Sequence, residues 1–380
     1  MELLRNRNVS FAEQGNLALV AVTTEGGRTS PVDVQPRQML MAQRNIAVVR
    51  ALGGLGDVLC AVPALKRLRH AYPTARVSYY GMPQVAGVVA RYPKLVDRFV
   101  EFPGFPGVVE APFAVDRFGD FLAQQRASGR YDLALQLHGS GSVTNVFTAM
   151  LDARRMAGFY VPGLWQPEGT FLPFPDRLPE VERWLTLMDA LGLKHGEDSL
   201  DLPLTDEDRQ DLAAVAPDLG PGYAVLHAGA SDPRRRWPPE HFARAGDLLT
   251  KAGLEVVLTG TASEVAIVAE VEGAMTARPR NLCGRTSLGA AAALIAGAQL
   301  VVTNDTGTSH MAAALGTPSV VIFIASDPAR WAPLNRARHR VVGRGVPDAV
   351  IGRPAPNVQP TLPAFVEAAH AIDALLTVAA

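Results

Sequence analysis

The chain has 380 residues, of which 48% are hydrophobic and 19% are charged, and its formal net charge is -1. This length and composition are typical of a soluble α/β protein with two domains, and the lack of an overall basic charge argues against a nucleic-acid partner. The chain has two cysteines without metal-ligand spacing, which predicts a cytoplasmic protein without disulfides. No apolar run approaches the ~20 residues that cross a bilayer, so no transmembrane span is expected.

The N-terminal segment, 1–43, differs in character from the rest of the chain. Its apolar run, 17–22, is too short and comes too late for a signal peptide, and residues 23–38 are polar and rich in turn formers. We therefore expect residues 1–43 to form a disordered or loosely packed extension. The first strand is expected to begin at Asn45.

Residues 44–193 alternate between short β-rich runs and segments with helical periodicity. Such alternation predicts β-α-β units, in which parallel strands form a sheet covered by helices on both faces. We therefore predict a Rossmann-like first domain over 44–193. Its strands are expected at 45–51, 76–80, 97–102 and 131–137, and its helices at 58–70, 84–91, 113–127 and 178–191.

The turn after the first strand is rich in glycine, with the sequence LGGLGDV at 52–58. Glycine lets a turn close tightly and lets a ligand approach the backbone. The G-x-G-x-x-G fingerprint of dinucleotide-binding proteins is incomplete, because Gly54 and Gly56 are followed by Leu59. The next strand also lacks an acidic residue at its end for a ribose hydroxyl, so the sequence disfavours a nicotinamide-dependent dehydrogenase.

Asp57 lies in this turn at the start of the first helix, above the strand ends where open α/β sheets bind ligands. The helix dipole is expected to keep its carboxylate ionised, and an ionised carboxylate can take a proton from a hydroxyl group that becomes a nucleophile. Asp57 can also be a simple helix cap. Asn caps a helix as well as Asp does but cannot act as a base, so exchange to Asn separates the two roles.

A polar, proline-containing stretch, 194–221, is predicted to be the interdomain linker. Its acidic triplet, DED at 206–208, has the spacing of an Asp-x-Asp metal motif, but beside the capping residue Thr205 it indicates a solvated helix start. A second Rossmann-like domain is predicted over 222–358, and an amphipathic last helix within 359–380 is predicted to pack back on the first domain. The strands of the second domain are expected at 223–227, 254–259, 299–303 and 319–324, and its helices at 239–251, 263–271 and 288–296.

Near the end of this second series, an apolar run leads into NDTGTSH at 304–310 and then into a helix of small residues. A strand that ends in a Thr-Gly turn and opens a helix presents unpaired N–H groups and a positive dipole end, which suit phosphate. The segment therefore predicts a nucleotide or nucleotide-sugar ligand. An ordinary helix start capped by Asp305 or Thr306, with His310 facing solvent, fits the turn alone equally well.

Three groups of residues resemble those of glycosyltransferase family 9, whose best-known members are the ADP-heptose:lipopolysaccharide heptosyltransferases. The resemblance extends over about residues 45–345, in the family's order, and implies a GT-B architecture. In that architecture two Rossmann-like domains face a central cleft, with the acceptor mostly on the first and the nucleotide-sugar donor on the second. The three groups are GLGDV at 54–58 with PAL at 63–65, LHAGAS at 226–231 with RRWP at 235–238, and DTG at 305–307 with His310 and AAA at 312–314.

The resemblance assigns a role to each matching position. Asp57 corresponds to the general base on the acceptor hydroxyl, in a turn whose Gly54 and Gly56 lie on the acceptor side. Arg235 corresponds to the basic residue that meets the donor diphosphate, and Glu264 to the acidic residue that holds the nucleotide ribose. The segment around the diphosphate and the donor sugar corresponds to Asp305, Thr306, Gly307 and His310.

The implied activity is an inverting, metal-independent transfer of a sugar to a hydroxyl group of a saccharide or glycolipid, with ADP-heptose as the expected donor. No cofactor is expected, and the acceptor class is compatible with peripheral contact at the inner face of a membrane. The chain departs from the heptosyltransferase pattern at Ala230-Ser231, by an apparent one-residue extension, and by Arg235 in place of Lys. These differences leave the donor sugar open. A nucleotide-sugar epimerase or hydrolase, and a non-catalytic nucleotide-sugar-binding protein, are the alternatives.

Smaller predictions concern single side chains. His138, just after a first-domain strand, is a candidate for the acceptor side, with a role in the loop as the alternative. Ser231 can hydrogen-bond a phosphate or only form the turn. Trp237 is interpreted as a packing residue, and His227 as a structural residue at the end of a buried strand.

Overall fold

Two parallel β-sheets of six strands each organise the part of the chain that the structure describes. The computed structural model describes residues 45–345 and 360–379, so the extension predicted over 1–43 lies outside the described residues. The predicted Rossmann-like character of both halves is confirmed, because all strand pairs in the two sheets are parallel. The domain boundaries at 193/194 and 221/222 stay predictions, and the boundary at 358/359 falls outside the described residues.

The first sheet and its helices form the first lobe. Its strands are β1 (Asn45–Val49), β2 (Arg76–Gly81), β3 (Arg98–Glu101), β4 (Leu133–Gln136), β5 (Met156–Tyr160) and β6 (Thr170–Pro173). Its helices are α1 (Leu55–Ala71), α2 (Ala86–Val89), α3 (Val115–Ala127), α4 (Thr144–Met150) and α5 (Glu180–Ala190). The strand order is β3-β2-β1-β4-β5-β6, which places a topological switch point between β1 and β4. β1 is apolar beyond its first residue, as expected of a strand covered on both faces.

The second sheet and its helices form the second lobe, which repeats this topology. Its strands are β7 (Tyr223–His227), β8 (Glu255–Leu258), β9 (Arg280–Asn281), β10 (Leu300–Asn304), β11 (Ser319–Ile322) and β12 (His339–Val342). Its helices are α6 (Asp206–Val215), α7 (Pro239–Lys251), α8 (Val265–Ala274), α9 (Leu288–Gly297), α10 (Gly307–Leu315), α11 (Pro328–Trp331) and α12 (Phe365–Ala379). The order β12-β11-β10-β7-β8-β9 places the second switch point between β7 and β10.

The two lobes meet where α1 packs against α10, the helices that follow the two glycine turns. Glycine permits this close approach at two positions. A Cβ atom on Gly56 would clash with the ring of His310, and one on Gly307 would lie 3.1 Å from Cβ of Leu55. The carboxyl ends of β1 and β10 are thereby brought to one cleft.

The predicted linker contains helix α6, which packs on α9 of the second lobe. Thr205 and Asp208 cap its start reciprocally, and Asp208 also forms an ion pair with Arg91 of the first lobe. Asp208 is buried, so the prediction of a solvated helix start is wrong for this residue. Its carboxylate is engaged in the cap and the ion pair. In the described part of the chain, no group of three or more His, Cys, Asp and Glu side chains is arranged to hold a metal ion.

The last helix packs on the second lobe, and the prediction that it returns to the first is wrong. α12 lies against α7, β11 and β12, where Ala368, Ile372 and Leu375 join the core of the second sheet. Trp237 stabilises the approach to this helix, since it is fully buried and its Nε1 donates a hydrogen bond to the Pro363 carbonyl at 3.0 Å. Its interpretation as a packing residue is confirmed. No described helix, α12 included, is long and apolar enough to cross a membrane.

Exchange of Ile372 for Ala is expected to destabilise the protein, because the side chain is fully buried in this core. Loss of a buried Ile side chain costs about 2–5 kcal/mol in the free energy of unfolding. Val366, on the same helix, is 58% exposed, and Val366→Ala should change that free energy by less than about 0.5 kcal/mol. Denaturation in urea measures both variants. Equally small effects would contradict the packing of α12.

Candidate active site

A cleft of about 760 Å³ lies between the two lobes, beyond the carboxyl ends of β1, β7 and β10. These strands border the two switch points, where open α/β sheets bind their ligands. The structure brings together all the predicted site residues except His138. Those that line the cleft are Gly54, Gly56, Asp57, Ser231, Arg235, Glu264, Asp305, Thr306, Gly307 and His310.

Asp57 stands in the first turn of α1, and its two carboxylate oxygens have different surroundings. Oδ2 accepts a hydrogen bond from the Gly54 N–H at 3.2 Å, and Oδ1 accepts one from the Arg50 guanidinium at 3.4 Å. The side chain keeps 19% of its surface exposed and lines the cleft. Asp57 can therefore cap α1 and still present its carboxylate to a ligand.

The surroundings of Asp57 raise the pKa of its carboxyl group above the usual value. Burial is the largest cause, and the nearby carboxylate of Glu180 acts in the same direction. The guanidinium of Arg50 opposes them, as do His310 and Arg330 to a smaller degree. The expected effect of the helix dipole, which favours the ionised form, is outweighed by burial. A raised pKa makes the ionised carboxylate a stronger base.

Arg50 holds Asp57 in place, and it is not among the site residues predicted from the sequence. It follows β1 and is fully buried, and its Nε donates to the backbone carbonyl of Asp57 at 2.7 Å. Nη1 donates to the Leu137 carbonyl at 2.6 Å, and Nη2 donates to Glu180 at 3.2 Å. The guanidinium carbon lies 4.9 Å from the ring centroid of Trp184. The sequence signal for this role is a charge directly after an apolar strand, because a buried charge needs partners.

Glu180 connects Arg50 to the second lobe. It begins α5, is 1% exposed, and its Oε2 accepts hydrogen bonds from Arg183 at 2.6 Å and from Arg330 at 3.0 Å. Burial by itself would raise the pKa of Glu180, but Arg330, Arg50 and Arg183 together lower it to about 2. The carboxylate is therefore ionised throughout the physiological range. Arg330 belongs to α11 and also lines the cleft.

The predicted anion-binding turn opens α10 in the second lobe. Thr306 is its N-cap residue, since its hydroxyl accepts a hydrogen bond from the Thr308 N–H at 3.3 Å. Asp305 is buried, and its Oδ2 lies 3.9 Å from Nη1 of Arg235. The first turn of α10 and Arg235 therefore bring hydrogen-bond donors and positive charge to the same cleft, which is the requirement for binding a phosphate group.

His310 lies at the contact between the lobes, and the alternative in which it faces solvent is wrong. It is 5% exposed, its Nδ1 lies 3.6 Å from Sγ of Cys60, and its ring meets Trp331 edge to face. Burial lowers the pKa of His310, against the opposing effect of the carboxylates of Asp305 and Asp57. A neutral imidazole is favoured, which can both donate and accept a hydrogen bond at the cleft.

A second cluster of polar residues in the cleft is centred on Glu264. Its Oε2 accepts hydrogen bonds from the N–H and the hydroxyl of Thr261 at 2.7 and 2.9 Å, and its Oε1 lies 3.9 Å from Nε2 of His227. Gly229 leaves room for the carboxylate, because a Cβ atom there would clash with it. His227 also lines the cleft, and its interpretation as a structural residue stays a prediction. Burial lowers the pKa of His227.

His138 follows β4 and lies outside the lining of this cleft. Its carbonyl accepts hydrogen bonds from the side chains of Gln136 and Thr144, which fix the loop. Burial, and then the positive charge of Arg50, lower the pKa of His138 to about 4. These contacts involve only its backbone, and its Nδ1 is buried without a hydrogen-bond partner among the described residues, so both the loop role and the acceptor-side role of the His138 side chain stay predictions.

Proteins of similar sequence and fold point to one family. The family model described as glycosyltransferase family 9 (heptosyltransferase) matches residues 122–349, more than half of the chain. The lipooligosaccharide heptosyltransferase 2 of Haemophilus influenzae is 26% identical over 304 residues, which cover 74% of this chain and 84% of that protein.

Solved structures confirm the predicted GT-B fold. The glycosyl transferase family 9 protein of Veillonella parvula superposes with a TM-score of 0.72 at 20% identity, covering 88% of this chain and 97% of that one. The E. coli heptosyltransferase WaaC with ADP superposes with a TM-score of 0.59 at 21% identity, covering 88% and 100% of the two chains. The shared fold places both sheets of this chain in one known architecture.

Proposed function

Because the chain belongs to glycosyltransferase family 9, we propose that it transfers heptose from ADP-heptose to a hydroxyl group of a lipopolysaccharide core saccharide. The name of the H. influenzae relative supports the sugar and the acceptor class, and the structure of WaaC with ADP supports the nucleotide. One observation carries the proposal. Asp57, a carboxylate of the first lobe, lines the same cleft as Arg235 and the first turn of α10 in the second lobe.

The proposed reaction is a single displacement with inversion at the anomeric carbon. The acceptor oxygen attacks that carbon as Asp57 takes the hydroxyl proton, and a new C–O bond forms. The bond from the anomeric carbon to the diphosphate breaks at the same time, and its electron pair leaves with ADP. Arg235 and the N–H groups at the start of α10 stabilise the charge that grows on the leaving group. The protein supplies this stabilisation in the proposed mechanism, without a metal ion.

The nucleoside part of the donor is proposed to bind beside Glu264. Its carboxylate can accept hydrogen bonds from ribose hydroxyls, and His227 lies 3.9 Å from it on the cleft wall. α9 contributes the apolar side chains of Leu288, Ala291 and Ile295 to the same cleft. An apolar wall next to a carboxylate suits a flat base attached to a ribose.

Product analysis tests the proposed function. The protein is incubated with ADP-heptose, with and without a lipopolysaccharide core acceptor, and the products are identified by mass spectrometry. We expect ADP and the heptosylated acceptor only when both substrates are present. Free heptose formed without acceptor would indicate a hydrolase, an altered donor sugar would indicate an epimerase, and unchanged substrates would indicate a binding protein.

The pH profile of kcat/KM is expected to have an acid limb above the ordinary carboxyl pKa of about 3.9. Asp57 acts as an ionised base, the ionised form is lost as the pH falls through its pKa, and burial raises that pKa. Glu180, with a pKa of about 2, cannot produce this limb. Initial rates over a pH series measure it. If the residual activity of Asp57→Asn shows the same acid limb, the limb belongs to another group, such as His310.

A further inference from the structure

A buried chain of ion pairs runs from the second lobe to the proposed base. Arg330 donates to Oε2 of Glu180 at 3.0 Å, and Oε1 of Glu180 accepts from Arg50 at 3.2 Å. Arg50 donates in turn to the backbone carbonyl of Asp57 at 2.7 Å and to its Oδ1 at 3.4 Å. Glu180 and Arg50 are at most 1% exposed, so water screens these contacts little.

Arg330 is not required to neutralise Glu180. The carboxylate already has two cationic partners within the first lobe, Arg50 and Arg183. Arg330 adds a third from the second lobe, stacked at 4.3 Å over the ring of Trp331 and 20% exposed. A buried ion pair between parts of a protein contributes more to their arrangement than to stability in several known systems. This pair joins the second lobe, which carries the donor-side residues, to Glu180, and Glu180 pairs in turn with Arg50, the residue that holds Asp57.

We propose that Arg330 is a positioning residue, which orients the Asp57 carboxylate across the lobe interface by way of Glu180 and Arg50. The proposal rests on the proposed function, in which Asp57 is the base. The hydrogen bond from Arg50 to the Asp57 carboxylate, at 3.4 Å, is the longest that the Arg50 guanidinium donates. Without Arg330, Glu180 draws Arg50 more strongly, and the contact to Asp57 is the first to be lost. The base is therefore correctly held only when the second lobe is in place.

The exchange of Arg330 for Met tests the proposal without removing Glu180's other two arginines, so the variant is expected to fold. We expect kcat to fall by about 10²-fold, the order that a misplaced reacting group costs. The KM for ADP-heptose and the Kd for ADP should change by less than about threefold, because Arg235, the first turn of α10 and Glu264, which are proposed to hold the donor, stay unchanged. Arg330→Lys keeps the charge and should recover part of the lost kcat.

Arg91 provides the matched control. It forms another ion pair between the lobes, with Asp208, and its side chain is 15% exposed against 20% for Arg330. It does not line the cleft, so Arg91→Met is expected to keep kcat within about twofold. In a double-mutant cycle, Glu180→Gln with Arg330→Met should be no slower than Glu180→Gln alone, since both break one interaction. If Glu180→Gln does not fold, the Arg330 and Arg91 variants decide the question.

Three results would overturn the positioning role: an equal loss of kcat in Arg91→Met, a tenfold weaker Kd for ADP in Arg330→Met with unchanged kcat, or effects that multiply in the cycle. Asp57→Asn is measured in the same assay. If Asp57→Asn turns over normally, the base assignment fails and the positioning role fails with it. If Asp57→Asn is inactive while Arg330→Met keeps the wild-type kcat, only the positioning role fails.

Discussion

Asp57→Asn is expected to lower kcat by about 10²–10⁴-fold, the contribution of a general base, while the protein stays folded and still binds ADP. The Asn side-chain oxygen can keep the hydrogen bond from the Gly54 N–H, so α1 remains capped. Arg50 keeps its bonds to Glu180 and to the backbone carbonyl of residue 57. Steady-state kinetics with ADP-heptose measures the loss, and calorimetric titration with ADP measures the retained affinity.

Asp208→Asn is the matched control for this substitution. Asp208 holds the same capping position in α6 that Asp57 holds in α1, and it lies outside the cleft. The control is expected to lower stability and to leave kcat within about twofold of wild type. Normal turnover by Asp57→Asn, or an equal loss in the control, would contradict the assignment of Asp57 as the base.

Arg235→Ala is expected to lower kcat by about 10²–10³-fold, the effect of removing one donor that stabilises developing charge. Arg235 lines the cleft, and its Nε is buried without a hydrogen-bond partner among the described residues. Its guanidinium is therefore available to a diphosphate, with Asp305 at 3.9 Å to orient it. The Kd for ADP should rise as well. Arg235→Lys keeps a charge but loses bidentate contact, so an intermediate rate is expected.

Arg234 is the control for a general loss of positive charge. It is the neighbouring residue, its side chain is 79% exposed, and it pairs with Asp232 at 2.7 Å outside the cleft. Arg234→Ala should leave the Kd for ADP nearly unchanged. Equal weakening by the two Ala variants would indicate a diffuse electrostatic effect, and unchanged affinity in Arg235→Ala would remove this residue from the diphosphate site.

Most of the fold is predictable from the sequence, because each strand and helix of a β-α-β unit is encoded in a short, continuous stretch of the chain. The long helices α1 and α7, and the apolar strands β1, β7 and β10, lie close to where their periodicity predicts them. The strands β5 and β6 are not predicted, since MAGFY and TFLP carry a glycine or a proline and no clear alternation. β5 is fixed by pairing with β4, and β6 by pairing with β5. The amphipathic pattern of α12 shows that one face is buried but not which lobe covers it.

In the candidate site, too, the residues in short local motifs are predictable and the contacts between distant residues are not. The turns that carry Asp57 and His310 are predictable because each lies in one short motif. The links from Glu180 join it to Arg50 and Arg330, which lie 130 and 150 positions away in the chain. No local pattern relates such distant residues, and only the folded arrangement of the two lobes brings them together. The approach of His227 to Glu264 is not predicted for the same reason, since Glu264 comes from the next β-α connection.

The anomeric configuration of the product tests the central claim most directly. A single displacement, in which Asp57 activates the acceptor while the second lobe holds the leaving diphosphate, inverts the configuration at the anomeric carbon. NMR coupling constants of the heptosylated acceptor, compared with those of the ADP-heptose donor, measure the outcome. We predict a product whose anomeric configuration is opposite to that of the donor. A product with the donor's configuration would contradict direct displacement and the role of Asp57 as general base.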